Sequence, residues 1–161
     1  LGHLAMTQIG NLQGVEFNHV PYKGGGPLMT DAVGGQVPLS IGTVFLVNPH
    51  VRSGRLRALA VTSRAPDAQM PGVAPVAEQG VAGFEALAWW GVFAPAGTSP
   101  DVVKRLSAEI AKALAAPDLR EKWLASGAEP AASTPEEFRA FIARELPKYA
   151  RIVNESGAKV D

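Results

Sequence analysis

The fold is decided by residues 15–33, VEFNHVPYKGGGPLMTDAV. The apolar residues among 15–20 predict a strand, and the pattern from Leu28 to about Val33 predicts a helix. Between the two lies a turn that contains Gly24, Gly25 and Gly26, flanked by prolines. The order strand, glycine turn, helix is typical of a sheet with helices packed on it.

The residues on either side continue this alternation. Upstream, apolar residues spaced by three and four predict a helix over residues 1–12 that ends at Gly14. Downstream, strands are predicted at 37–41 and 56–62, with a short helix over residues 44–51 between them. The sequence therefore predicts an α/β fold with a parallel or mixed sheet.

The last third of the chain predicts helices. Ser99 can cap a helix that begins at Pro100, and a second helix is predicted from Pro117. Thr134 and Glu137 have the spacing of a capping box at the start of a third helix. Residues 63–83 are rich in Pro, Gly and Ala and predict irregular chain, whereas 84–95 predicts one extended segment.

Composition excludes several classes of function. The 161 residues carry 15 Lys+Arg against 15 Asp+Glu and no Cys. A net charge of zero without a basic run argues against nucleic acid as a partner, and the absence of Cys removes thiol chemistry. The longest uncharged stretch, residues 32–51, holds glycines and prolines and does not predict a membrane span. We expect Leu1 to be an internal position of a longer protein, because no initiating Met or basic leader precedes it.

The residue patterns do not indicate catalysis. The three histidines are isolated in sequence, without a pair spaced to bind zinc, and Ser40 lacks the first glycine of a nucleophile elbow. The carboxylates belong to helices and are expected to be solvated, including Asp31 near the glycine turn. We therefore expect no enzyme activity, no metal and no cofactor.

The turn Lys23-Gly24-Gly25-Gly26 matches neither nucleotide-binding pattern. In a P-loop the lysine follows the glycines, and the third glycine of the dinucleotide pattern is replaced here by Met29. Glycines before a helix offer unhindered N–H groups that attract an anion, carboxylate as well as phosphate. A purely structural turn is the alternative that the local sequence leaves open. Gly42-Thr43 is a second, weaker candidate of the same kind.

An ordered series of blocks resembles one known family. The blocks are HVPYKGGGP at 19–27, GGQV at 34–37, GRLRALAVT at 54–62, WWGVFAPAGT at 89–98, GAEP at 127–130 and TPEEF at 134–138. They are similar to blocks of the Bug family, the extracytoplasmic solute-binding receptors of bacterial tripartite tricarboxylate transporters. The resemblance runs from about residue 3 to the C-terminus.

The resemblance implies an α/β fold of the periplasmic binding protein type II kind, in which two lobes close on a ligand. Family members are longer, so the chain would be a fragment lacking most of the first lobe. Residues 1–86 would form the second lobe, 87–98 the crossover or hinge, and 99–161 the helical return to the first lobe. A removed signal peptide, a periplasmic location and membrane transporter subunits as partners are also implied.

The site residues combine the glycine turns with this resemblance. The expected ligand is a small organic anion, either a di- or tricarboxylate or an amino acid. Trp89 and Trp90 are adjacent on an extended segment, so at most one of them can line a cleft. The expected ligand-binding residues are Tyr22, Lys23, Gly24, Gly25, Gly26, Pro27, Thr43 and Trp89. The alternative function is an assembly module that forms a homodimer by element exchange without binding ligand.

Overall fold

The computed structural model describes residues 1–156, and these residues form six α-helices. The helices are α1 Gly2–Gln13, α2 Gly25–Val33, α3 Val44–Arg52, α4 Pro100–Ala115, α5 Pro117–Ala125 and α6 Pro135–Ser156, with a 3₁₀ turn at Val76–Glu78. The helices predicted at residues 1–12 and 44–51 and after Ser99 are confirmed. Residues 157–161, the end of the predicted segment 99–161, lie outside the described residues. Within the described part, no helix is long and apolar enough to cross a membrane.

The predicted strands do not pair into a sheet within residues 1–156. Residues 15–20, 37–41 and 56–62 have no regular secondary structure there, apart from one parallel bridge between Val61 and Pro75. In that bridge the Val61 N–H donates to the Ala74 carbonyl at 3.2 Å, and the Val76 N–H donates to the Val61 carbonyl at 2.9 Å. A strand must satisfy its N–H and C=O groups on a neighbouring strand, and apolar alternation alone does not supply one. The strand assignments at these three segments are therefore wrong within residues 1–156.

The chain divides into two compact units between Ala88 and Trp89. The first unit comprises Leu1–Ala88, with residues 155 and 156 grouped with it, and the second comprises Trp89–Asn154. The boundary falls inside the segment predicted as a crossover, 87–98. The assignment of these units to the lobes of a receptor stays a prediction.

The first unit has a small apolar core around α1. Ala5, Val81 and Phe84 are buried together, and partly buried side chains that include Ile9 and Ile41 pack against them. α1 ends as predicted at Gly14, whose φ of 66° lies in the left-handed region. The Val15 N–H donates to the Gly10 carbonyl at 2.9 Å, which is the closing hydrogen bond of a Schellman cap.

The second unit contains α4, α5 and most of α6. The capping box at the start of α6 is confirmed: the Thr134 N–H donates to Glu137 Oε2 at 2.8 Å, and the Glu137 N–H donates to Thr134 Oγ1 at 3.1 Å. The ring of Phe138 lies 6.3 Å from that of Phe141, and a Cβ on Gly91 would overlap the Phe138 ring. An aromatic cluster therefore joins residues near 90 to the start of α6.

Candidate functional site

Helix α2 begins inside the glycine run, three residues before its predicted start at Leu28. Gly24 is the N-cap, and Gly25, Gly26 and Pro27 form the first turn. Gly24 has φ 110° and ψ 176°, a conformation that side-chain-bearing residues avoid. Pro27 is tolerated because the first N–H groups of a helix have no acceptor within it. The predicted turn is thus the helix start itself.

The N–H groups of Gly25 and Gly26 lie at the open end of α2. No side chain caps this helix, so no hydroxyl or carboxylate occupies the donors that a cap would use. A Cβ built on Gly26 would have no heavy atom within 4 Å. Gly26 is exposed, so this end of α2 has room for a small acceptor.

Leu46 of α3 joins the two glycine turns. A Cβ on Gly25 would lie 2.6 Å from Leu46 Cδ2, and a Cβ on Gly42 would lie 3.4 Å from the same methyl group. Thr43, the N-cap of α3, follows Gly42 directly, and its carbonyl accepts from the Leu46 N–H at 2.9 Å. The starts of α2 and α3 therefore both lie next to the Leu46 side chain.

The start of α1 adjoins the same region. A Cβ on Gly2 would lie 2.8 Å from Ile41 Cγ2, and Ile41 immediately precedes Gly42. The His3 ring stacks on His19 with 3.9 Å between ring centroids and 5° between planes. Burial, and then the neighbouring His19, lower the pKa of His3 below its ordinary 6.5. The starts of α1, α2 and α3 therefore lie in one region of the first unit.

The helix starts of the two units differ in charge. α1, α2 and α3 have no acidic residue in the first turn, whereas α4, α5 and α6 each carry at least one. The acidic residues of those three first turns are Asp101, Asp118, Glu136 and Glu137. A carboxylate near a helix N-terminus offsets its positive partial charge. Only the first unit therefore has uncompensated helix starts among the described helices, and the exposed Lys23 lies beside one of them.

Tyr22 is tied to the helix that it precedes. Its hydroxyl donates to Asp31 Oδ2 at 2.8 Å, and this hydrogen bond is the main cause that raises the pKa of Tyr22 above its ordinary 10.0. Asp31 was expected to be solvated, but it is partly buried and holds this bond. The Tyr22 side chain is therefore fixed at the entrance to α2.

Trp89 lies in the second unit, where its ring packs against α6. Its centroid is 5.1 Å from that of Phe141 and 5.9 Å from that of Phe138, both edge-on. Trp90 is 75% exposed against 39% for Trp89. A ligand contact by Trp89 stays a prediction. The other predicted site residues, Tyr22 to Pro27 and Thr43, lie in one region of the first unit.

Three features of this region were not predicted from the sequence. Leu46 and the His3–His19 stack depend on contacts between segments 16 or more residues apart. Asp31 lies nine residues after Tyr22, and the sequence does not show the geometry of the turn between them. The offset that could have pointed to Asp31 is its place on α2, because helix side chains lean toward the N-terminus.

A cavity of about 230 Å³ opens at the other end of α3. Its polar lining is internally bonded: Arg52 Nη2 donates to Gln69 Oε1 at 3.0 Å, and Asn48 Nδ2 approaches the same oxygen at 3.5 Å. Those donors already have an acceptor, in contrast to the open amides of α2. The α2 start is therefore the stronger candidate for a ligand.

Two solved structures share this chain's fold. The structure described as R. palustris Rpa4515 with adipate superposes with a TM-score of 0.89 at 31% identity, covering 97% of this chain and 52% of that one. The periplasmic binding protein BugD gives a TM-score of 0.83 at 32% identity, covering 98% of this chain and 54% of that one. The predicted fold class is therefore confirmed: the fold is that of a periplasmic binding protein, of which this chain covers about half.

Sequence comparison identifies the family within that class. The chain belongs to the family described as "Tripartite tricarboxylate transporter family receptor", whose model matches residues 2–158. Protein BugT of Bordetella pertussis is 40% identical over 156 residues, 96% of this chain and 48% of BugT. The chain thus spans about half of BugT. It covers 90% of another relative, the UPF0065 protein in the clcB-clcD intergenic region of Pseudomonas knackmussii, at 32% identity.

Proposed function

We propose that this chain is the ligand-binding part of a non-enzymatic receptor that captures a small organic carboxylate in the periplasm for a tripartite tricarboxylate transporter. Its family and its fold neighbours support the receptor role. The chain would supply the binding loops of one lobe. The remainder of the receptor would supply the surface against which they close.

The observation that carries the proposal is the set of uncompensated helix starts in the first unit. The amides of Gly25 and Gly26 are at the N-terminal end of α2, where no side chain caps them. The start of α3 lies nearby, because Leu46 of α3 lies next to Gly25. Free N–H donors and the positive end of a helix dipole together favour an anion. An acceptor with two oxygens can engage both amides, which suits a carboxylate.

The ligand class follows from the size and charge of this region. A single exposed lysine and backbone dipoles suit one small anion, in contrast to the clustered basic side chains that a polyanion requires. A linear dicarboxylate is a reasonable first probe because a neighbour at TM-score 0.89 is described with adipate. Citrate and glutamate extend the panel to a tricarboxylate and an amino acid.

The experiment changes the conformation at Gly24 without adding bulk near another atom. A Cβ on Gly24 meets nothing within 4 Å, but φ 110° is strained for alanine, so Gly24→Ala should redirect the Gly25 amide. Gly35→Ala is the matched control, since Gly35 also has a positive φ, 73°, and open space, but lies beyond the other end of α2.

Titration calorimetry of the complete receptor with adipate, citrate and glutamate measures the result. We expect at least one of these ligands to bind the wild type and Gly35→Ala, and Gly24→Ala to lose that binding. The proposal fails if no carboxylate binds the wild type, or if Gly24→Ala binds as tightly as the control. Turnover of any of these compounds would contradict the receptor role.

A second candidate function is self-assembly, favoured by the apolar face of α4. Val102, Leu106 and Ile110 are spaced by four and remain 48%, 50% and 36% exposed. Two copies could cover these faces. Light scattering of the 161-residue chain would give a dimer mass that Leu106→Glu converts to a monomer, whereas a wild-type monomer rejects this candidate.

A further inference from the structure

The start of α2 needs a restraint that leaves its amides free. Glycine has the largest conformational freedom of any residue, and Gly24, Gly25 and Gly26 are consecutive. A side-chain cap would order the turn but would occupy the N–H donors, and α2 has none. Binding to a disordered turn would cost ordering entropy. The restraint must therefore come from contacts outside the turn.

Two side-chain hydrogen bonds link the body of α2 to its start. Thr30 Oγ1 donates to the Gly26 carbonyl at 3.2 Å, and Asp31 Oδ2 accepts from the Tyr22 hydroxyl at 2.8 Å. The Thr30 bond engages a backbone carbonyl of the first turn, and the Asp31 bond engages Tyr22, which precedes the helix. Neither uses the amides of the first turn.

The position of Asp31 explains why it acts on Tyr22 and leaves the amides alone. Asp31 is six residues beyond Gly25, which is about 9 Å along the helix axis at 1.5 Å per residue. Its side chain leans toward the N-terminus but stops short of the first turn. Tyr22 enters from the preceding segment and meets it there at 2.8 Å. The two residues bracket the three glycines on both sides.

We propose that the Tyr22–Asp31 hydrogen bond is a strap that holds the Gly24–Gly26 turn in its anion-binding conformation. Asp31 is then a positioning residue that acts through Tyr22 and does not touch the ligand. The proposal rests on the proposed function, because it assigns this bond a role at the same helix start.

The first test measures adipate affinity in the complete receptor by calorimetry. Tyr22→Phe and Asp31→Ala should each weaken binding about fivefold, the cost of one lost hydrogen bond. The double variant should be no weaker than either single variant, because both remove the same bond, whereas independent effects would multiply to about 25-fold. Asp31→Asn keeps an acceptor for the hydroxyl and should restore most of the affinity.

The second test needs no ligand. Hydrogen exchange in the ligand-free receptor reports the Leu28 and Met29 amides, which donate to the Gly24 and Gly25 carbonyls in the first hydrogen bonds of α2. Exchange should accelerate about fivefold in Tyr22→Phe and Asp31→Ala and stay slow in Asp31→Asn. Glu85→Ala is the control, since it removes the 3.3 Å ion pair with Arg64 in the same unit.

The two tests separate the strap from the proposed function. If no carboxylate binds the wild type, the proposed function is rejected. Independently of that result, the strap is rejected if Tyr22→Phe and Asp31→Ala leave hydrogen exchange at Leu28 and Met29 unchanged from the wild type. Accelerated exchange with unchanged adipate affinity would also overturn the proposal, because the bond would then order α2 without positioning a ligand. Multiplicative losses in the double variant would contradict the assignment of one shared bond.

Discussion

Replacing Gly25 with alanine should destabilise the protein relative to the same replacement at Gly26, although both glycines lie in the first turn of α2. A Cβ on Gly25 would lie 2.6 Å from Leu46 Cδ2 and 3.0 Å from Leu46 Cδ1. Carbon atoms pack best at about 3.5–4.0 Å, so the nearer contact is short by about 1 Å. A Cβ on Gly26 meets nothing within 4 Å. The two alanine variants therefore differ in one contact.

The magnitude follows from two opposing terms. Alanine in place of glycine favours the helix by up to about 1 kcal/mol, and both variants gain part of this. Forcing a methyl group into a packed contact costs about 1–3 kcal/mol, and only Gly25→Ala incurs it. The opposing atoms are the methyl ends of the half-buried Leu46, which can shift, so the cost falls in the lower part of that range, about 1–2 kcal/mol. We expect Gly26→Ala to be neutral or slightly stabilising, and Gly25→Ala to be less stable than Gly26→Ala by about 1–2 kcal/mol.

Urea unfolding of the complete receptor would measure the difference as a shift of the midpoint at unchanged slope. Leu46→Ala removes the opposing methyl groups, so Gly25→Ala should cost little in that background. This gives a coupling of about 1–2 kcal/mol between the two positions. Equal stabilities of Gly25→Ala and Gly26→Ala, or a cost that persists with Leu46→Ala, would refute the packing of α2 on α3 described above.

Two further predictions concern pH. Because the pKa of His3 is lowered from 6.5 in the folded chain, chiefly by burial and then by His19, unfolded chains bind its proton more readily. Stability should therefore fall as the pH drops below about 6.5. Urea midpoints measured between pH 8 and 5 should show that this pH-dependent loss of stability vanishes in His3→Gln and only shrinks in His19→Gln. A pH dependence of His3→Gln identical to that of the wild type would reject the assignment to His3. The pKa of Glu137 is lowered from 4.5, first by the Thr134 N–H, so its contribution is present above 4.5 and lost as the pH falls through the folded value. Thermal midpoints at pH 6 and 3.5 should show a smaller acid loss in Glu137→Gln than in the wild type, and an unchanged loss would contradict the capping contact.

Helix ends were predictable because their determinants are local. Gly14 closes α1 with a positive φ, and Thr134 and Glu137 cap α6 across three residues. The start of α2 was placed three residues late because glycine disfavours helices in general. In this chain Gly25 is helical where a larger residue would collide with Leu46, a tertiary contact that outweighs propensity.

The features that the sequence does not predict depend on partners distant in sequence. Residues 15–20 show a strand pattern, but no neighbouring strand within the described residues satisfies their backbone groups. Gly91 is required because Phe138, 47 positions later, occupies the space of its Cβ. Tyr22 stays a predicted ligand residue, and its bond to Asp31 depends on how the chain enters α2. A linear pattern does not encode these distances.

The charge balance illustrates what composition can and cannot predict. A net charge of zero argues against a basic surface, but it does not indicate how the carboxylates are divided among helices. Placing Asp101, Asp118 and Glu136 in first turns compensates the helices of the second unit and leaves those of the first unit uncompensated. An anion attracted to this chain would therefore be drawn by oriented backbone dipoles that persist whatever the net charge. Recognition of this kind depends on the geometry of the turns, which is why the restraint of Gly24–Gly26 matters more than the number of basic residues.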